Sequence, residues 1–359
     1  MKRFLLICLS ALCAASCEIP FEIQQEGEPQ IYMQALLGNS PGFMIRYFAA
    51  SPISADKASI GPIEAEVRIN GEPAGAQYHY PDQSQFLIAF PLDEEAPKEG
   101  DEITVTLRAE NMKEVSGSTR WLSAPDITLV EAKNIVMDTT EVTQVSITLA
   151  EAPENEDFFG ISIVGSYYFS VNEGSPARFI YPVTPGRLLS VEESAGFDLE
   201  DFMQVSYNQG LIGFFSNAEP NYITLLSRKQ FDGAVYSFYL NSFDSNLLSD
   251  FRDRFPSGDT GIAGGGIVSG GIVSGGIGQG QTTTPPTYSI RFYRLSEETY
   301  RFAKANYQSN FDFLSNMGLT PANFTWTNVK NGLGVVGGLY DYNTNIVIQT
   351  SDGEPKVFY

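Results

Sequence analysis

Cysteine and histidine, the side chains best suited to nucleophilic and metal chemistry near neutral pH, are nearly missing from this 359-residue chain. The three cysteines, Cys8, Cys13 and Cys17, all lie in the first seventeen residues. Beyond them the chain offers no thiolate nucleophile, no disulfide and no thiolate metal site, so packing must stabilise it. The one histidine, His79, rules out HExxH and other multi-histidine zinc sites. A Ser-His-Asp arrangement would have to use His79. That residue stands in Tyr78-His79-Tyr80 ahead of Pro81, within a short strand pattern, and a structural or exposed role is expected. Basic residues are scarce as well: 22 Lys and Arg against 43 Asp and Glu leave a net charge of −21. Without a basic patch to displace counterions, nucleic acid is excluded as a partner, and a broad contact with anionic lipid is disfavoured. Trp121 and Trp326 are the only tryptophans, which argues mildly against a glycan platform, although 18 Tyr and 25 Phe leave that point open. After residue 17 no charge-free apolar run approaches the roughly 20 residues that a spanning helix needs.

What the first seventeen residues contain is specific. Lys2 and Arg3 precede a charge-free apolar run from Phe4 to Ala15, the length of a signal-peptide core. The run ends in Ala14-Ala15-Ser16-Cys17, small residues before a cysteine, as a lipoprotein signal peptidase requires. Cys17 is the expected lipidation site and the first residue of the mature chain. Cys13 is the rival, but Leu12 before it is bulky. An ordinary secretory signal with chance cysteines is the competing reading. Acyl chains at Cys17 would tether the body to a membrane without threading it through, at about 0.8 kcal/mol per buried CH₂.

The body reads as mainly β. Residues 18–29 are polar and acidic, a tether. Short strand patterns follow at 31–37, 43–48, 63–69, 76–80, 86–90, 103–109 and 115–121. Alternation is plain in Ile103-Thr104-Val105-Thr106-Leu107. Asn70-Gly71 tolerates positive φ and suits a tight hairpin. Seven strands without helical periodicity predict an immunoglobulin-like β-sandwich over 30–124. A larger β-rich domain is expected over 125–359, with strands at 127–133, 142–149, 158–169, 222–226, 234–240, 288–293, 324–329, 333–340 and 345–349. Gly265-Gly266-Ile267-Val268-Ser269 repeats as Gly270-Gly271-Ile272-Val273-Ser274 before Gly275-Gly276-Ile277, and predicts a flexible insertion over 261–284. One amphipathic helix follows. Ser296 caps it, Glu297 and Glu298 meet its dipole, and Tyr300, Ala303, Tyr307, Phe311 and Leu314 form its core face, with Gly318 and Pro321 stopping it.

Motifs with chemical meaning are weak. Gly332-Leu333-Gly334-Val335-Val336-Gly337 matches GxGxxG, but no helix pattern follows it to receive a pyrophosphate. No glycine run leads into Lys-Ser or Lys-Thr, so no P-loop is expected. Asp93-Glu94-Glu95 and the acids from Glu99 to Glu102 flank Pro97 and Gly100 and read as solvated loop charge rather than a glycosidase pair. Residues 244–253 carry oxygen ligands without calcium-loop spacing. No catalytic, cofactor-binding or metal-binding residue is therefore expected.

Several stretches together resemble a known family. They are the Cys17 lipobox, Asn70-Gly71, Glu156-Asp157-Phe158-Phe159-Gly160, Gln230-Phe231-Asp232-Gly233 and Leu295-Ser296-Glu297-Glu298-Thr299-Tyr300, with Asn328-Val329-Lys330-Asn331-Gly332-Leu333-Gly334-Val335 last. The chain is similar to domain-of-unknown-function family 4249, outer-membrane lipoproteins of Bacteroidota often encoded beside TonB-dependent transporters. The resemblance spans nearly the whole mature chain, and the glycine repeat falls outside it. It implies an outer-membrane, lipid-anchored, cell-surface protein whose partner is a TonB-dependent transporter, and it makes the GxGxxG match a strand-entry signature. It supplies no catalytic residue and no ligand. The expected function is a non-enzymatic accessory or ligand-capture partner of that transporter. A structural or adhesive surface protein is the alternative, and a hydrolase using carboxylates alone comes last.

Overall fold

The computed structural model describes residues 28–40, 42–50, 59–90, 96–137, 140–170, 176–183, 203–206, 222–241, 287–311, 326–342, 344–350 and 354–359. Cys17, the tether up to residue 27, the acids at 93–95, residues 244–253, the glycine repeat at 261–284 and helix positions beyond 311 lie outside them.

The first strands are β1 (Gln30–Leu37), β2 (Gly42–Ala50), β3 (Ile63–Ile69), β4 (Glu72–Pro73), β5 (Ala76–Tyr80), β6 (Gln85–Ala89), β7 (Glu102–Ala109) and β8 (Val115–Arg120). They build two facing layers, β1-β2-β6-β5 and β4-β3-β7-β8. Alternation decides which side chains meet between them. Ile31, Met33, Ile45, Phe86 and Ile88 of one layer share a core with Val67, Ile103, Val105 and Leu107 of the other. The turn at Asn70-Gly71 is as expected: Ile69 pairs with Glu72, and the two loop residues have φ of 51° and 88°.

The next strands are β9 (Ile127–Met137), β10 (Thr140–Leu149), β11 (Phe158–Ser170), β12 (Pro176–Val183), β13 (Met203–Ser206), β14 (Tyr222–Ser227), β15 (Phe231–Asp232), β16 (Val235–Asn241) and β17 (Thr287–Leu295). Helix α1 (Glu297–Phe311) precedes β18 (Leu333–Asp341), β19 (Ile346–Gln349) and β20 (Lys356–Phe358). The expected strand at 324–329 does not form in its described part. Residues 326–329 are irregular, and only Lys330 bridges to Ser116.

A twelve-stranded sheet unifies the chain. Its path runs β13-β14-β11-β17-β18-β1-β2-β6-β5, with β12, β19 and β20 attached off it. The join is the parallel pair β1–β18, Tyr32 to Leu333 through Leu37 to Gly338. The sheet therefore crosses from the first seven expected strands into the second region without a break. On one face it carries two four-stranded layers side by side: β4-β3-β7-β8 over one half and β15-β16-β10-β9 over the other. The second core joins Val145, Ile147 and Phe238 to Ile161, Ile290, Phe292 and Ile348. The opposite face carries α1, with Tyr300, Phe302 and Ala303 packed on Ile223, Leu225, Leu295, Val335 and Leu339. Among the described residues, mainly β architecture with sandwich layers and one α-helix agrees with the sequence reading. Among the described residues no helix is long and apolar enough to cross a membrane.

Candidate functional site

Among the described residues, the helix-side face of the large sheet is not fully covered. A cavity of about 310 Å³ lies on it where β6, β2, β1, β18 and β17 run side by side. Register explains why these side chains converge. Met44 pairs with Leu87, and Leu295 and Tyr293 pair with Leu339 and Asp341. Leu36, Tyr293 and Leu339 belong to the core under α1, so they point to this face. Arg291 precedes Tyr293 by two residues and shares its face, which places it diagonally across from Asp341. The residues joining β1 to β2 form a rim, where the Asn39 amide donates to the Asp341 carbonyl oxygen.

The lining combines apolar walls with the polar side chains of Asn39, Ser40 and Tyr293 and one pair of opposite charges. Leu36, Met44, Leu87 and Leu339 form walls, and Arg291 and Asp341 contribute the charges. Among the described residues, Asp341 Oδ1 is the buried side-chain polar atom left without a hydrogen-bond partner. Burial pushes the Asp341 carboxyl up to about 6, and the positive charge of Arg291 only partly counters it. An unpaired buried oxygen costs about 1–3 kcal/mol. A water, an ion or a ligand from outside can supply that partner. The volume falls at the lower end of the roughly 300–1,000 Å³ typical of small-molecule pockets.

The residues singled out in the sequence lie elsewhere. His79 is on the exposed edge strand β5, with Nε2 2.7 Å from the Tyr47 hydroxyl and its ring stacked on Phe86. The GxGxxG stretch is strand β18 against β1, with no helix after it. Gly334 has φ +108°, and a Cβ there would land on the Met33 carbonyl oxygen. The glycine thus admits a neighbouring backbone, not a phosphate. Glu99, from the acidic loop, pairs with Arg294 Nη1 at 3.1 Å. Among the described residues no cluster of three metal-ligating side chains occurs. Sequence reasoning missed Asp341 and Arg291. A lone Asp closing a strand carries no motif, and only the β17–β18 register brings the two near each other.

The stretches that carried the family resemblance shape the fold. Ser296 Oγ accepts from the Thr299 N–H at 3.3 Å and from the Gly338 N–H at 2.9 Å, so one hydroxyl caps α1 and ties it to β18. Asp157 pairs with Arg294 at 3.0 Å. The side chains of Ser227 and Gln230 form a capping box ahead of β15.

No curated protein matches the chain. Among solved structures, a chain is similar from one described as "Complete structure of manganese lipoxygenase of Gaeumannomyces graminis and partial structure of zonadhesin of Komagataella pastoris". It is 10% identical, covers 76% of this chain and 91% of its own, and superposes with a TM-score of 0.18, too low to bear on fold or function. The model of the family described as "Domain of unknown function (DUF4249)" matches residues 17–344, nearly the whole length, and the chain belongs to that family.

Proposed function

We propose that this chain is a lipid-anchored outer-membrane protein that captures a small ligand as the non-enzymatic accessory of a TonB-dependent transporter. The observation that carries the capture role is the cavity at Asp341, a partly apolar pocket holding one buried carboxylate oxygen that has no hydrogen-bond partner among the described residues. Capture needs a preformed concave site with few, well-placed polar groups. Adhesion needs only an exposed surface. Anchoring is supported by the run from Phe4 to Cys17. Acylation there would leave the acidic body free to stand off an anionic leaflet. The transporter partner is an expectation that comes with the family.

Two measurements test the proposal. Mass spectrometry of the membrane-derived protein should find a diacylglyceryl thioether on an amino-terminal Cys17, and Cys17→Ser should leave the precursor uncleaved and unacylated. Affinity purification from detergent-solubilised native membranes should recover a β-barrel transporter. An unmodified amino terminus overturns the anchor, and recovery of no transporter overturns the partnership.

A further inference from the structure

We infer that the cavity takes a zwitterion with an apolar substituent, an α-amino acid or one of its close analogues, its ammonium group on Asp341 and its carboxylate on Arg291. This rests on the capture reading and adds the ligand's chemical class. Three observations carry it. Among the described residues the cavity presents one anion and one cation, on a lining that also holds the apolar Leu36, Met44, Leu87 and Leu339 and the polar Asn39, Ser40 and Tyr293. The two charged residues are diagonal neighbours on one face of adjacent strands, about 7–8 Å apart at their Cα atoms in such a register. The long arginine side chain can reach across that separation towards a small molecule held at the shorter aspartate. Among the described residues Asp341 Oδ1 accepts no hydrogen bond, from Arg291 or from any other group, although the guanidinium charge acts on the carboxyl.

Each part of an apolar amino acid answers one part of this site. Its ammonium supplies a donor to Asp341 Oδ1. Its carboxylate presents two acceptors to the planar guanidinium fork, the geometry arginine recognises best. Its side chain removes the leucine and methionine walls from water. A purely cationic amine would leave Arg291 facing an unfilled charge. A fatty acid would set its carboxylate against Asp341.

The test is calorimetric titration of the full chain, purified from membranes in detergent, with three probes of matched apolar volume: L-leucine, 3-methylbutylamine and 4-methylpentanoate. Leucine should bind at least about tenfold more tightly than either singly charged probe, one charge-assisted hydrogen bond being about 1.5–3 kcal/mol. Asp341→Asn and Arg291→Gln should each weaken leucine binding by about tenfold or more. Equal binding of amine and amino acid, or leucine binding indifferent to Asp341→Asn, overturns the zwitterion. Failure of the class is separable from failure of capture itself. The control is native mass spectrometry of the chain after exposure to a metabolite extract of the host cell, beside Leu87→Trp, which fills the cavity. A retained small molecule that Leu87→Trp abolishes, together with no leucine binding, removes the zwitterion and keeps capture. No retained molecule and no leucine binding removes both.

Discussion

Asn328 makes itself a one-residue strand for Val336. Its Nδ2 donates to the Val336 carbonyl oxygen at 2.7 Å, and its Oδ1 accepts the Val336 N–H at 2.9 Å. The same Nδ2 donates to the Ser118 carbonyl at 2.9 Å, joining β18 to β8. The irregular segment before β18 therefore does the work of a missing ladder between the two layers of the first sandwich. Asn328→Ala removes three hydrogen bonds and leaves their backbone partners half-buried and unpaired. A loss of about 3 kcal/mol in urea unfolding is expected, at roughly 1–3 kcal/mol per orphaned group with partial rescue by water. Asn328→Asp, which keeps the acceptor and turns a carboxylate toward two carbonyl oxygens, should lose at least as much.

Gly334 is the tightest point of the parallel join. At φ +108°, with Met33 backbone where a Cβ would sit, alanine is strained twice over. Gly334→Ala should separate β18 from β1 and cost more than about 3 kcal/mol, enough to expose both strands. Hydrogen exchange in segments 30–37 and 333–341 should then accelerate together. Gly71→Ala, at φ +88° in an open turn with no neighbour within 4 Å, should cost only about 1 kcal/mol.

Arg294 stands at the seam of the two sandwiches. Its guanidinium reaches Asp157 at 3.0 Å and Glu99 at 3.1 Å, and it donates to the Ser123 hydroxyl at 3.2 Å. Exposure decides which pair matters: Asp157 is 24% exposed and Glu99 56%. A double-mutant cycle with Arg294→Gln and Asp157→Asn should give a coupling of about 1 kcal/mol, and the cycle with Glu99→Gln less than about 0.5. Raising salt to 1 M should shrink the second far more than the first.

Local periodicity and turn chemistry made much of this fold legible. Residues 63–69 and 76–80 form strands as read, because alternation and the Asn70-Gly71 turn are local signals. Ser296 caps a helix because a hydroxyl ahead of two glutamates has few other local uses. The parallel pair β1–β18 was not legible. It joins residues about three hundred positions apart, and no side-chain pattern within either strand names the other as partner. The site was hidden for the same reason. Arg291 in mid-strand and Asp341 at a strand end look like ordinary surface charges, and their meaning appears only once Tyr293 is set opposite Asp341. Residues 326–329, the described part of a predicted strand, were misread because Trp and Val suggest strand, whereas Asn328 spends its side chain on the backbone of Val336 and holds its own chain out of a ladder.

Asp341 should make stability depend on pH in the direction opposite to a salt-bridged carboxylate. Burial raises its folded-state value to about 6, above the usual 3.8, so the folded chain holds the proton more tightly than the unfolded chain. The stabilisation is complete below about pH 4. It is lost as pH rises towards 6, and above that the ionised group is a fixed cost. Two pH units correspond to about 3 kcal/mol, but the side chain is only half-buried, and solvent screening reduces this to about 1 kcal/mol. Asp341→Asn, which cannot ionise, should therefore be more stable than the wild-type chain by about 1 kcal/mol at pH 8 and indistinguishable from it at pH 4. Urea unfolding of both proteins across that range checks this. A variant less stable at pH 8 than at pH 4 relative to wild type would mean that the ionised carboxylate is already well paired in the free chain. If instead the gap at pH 8 closes when L-leucine is added to the wild-type protein, the ligand's ammonium group is supplying the partner that the fold withholds.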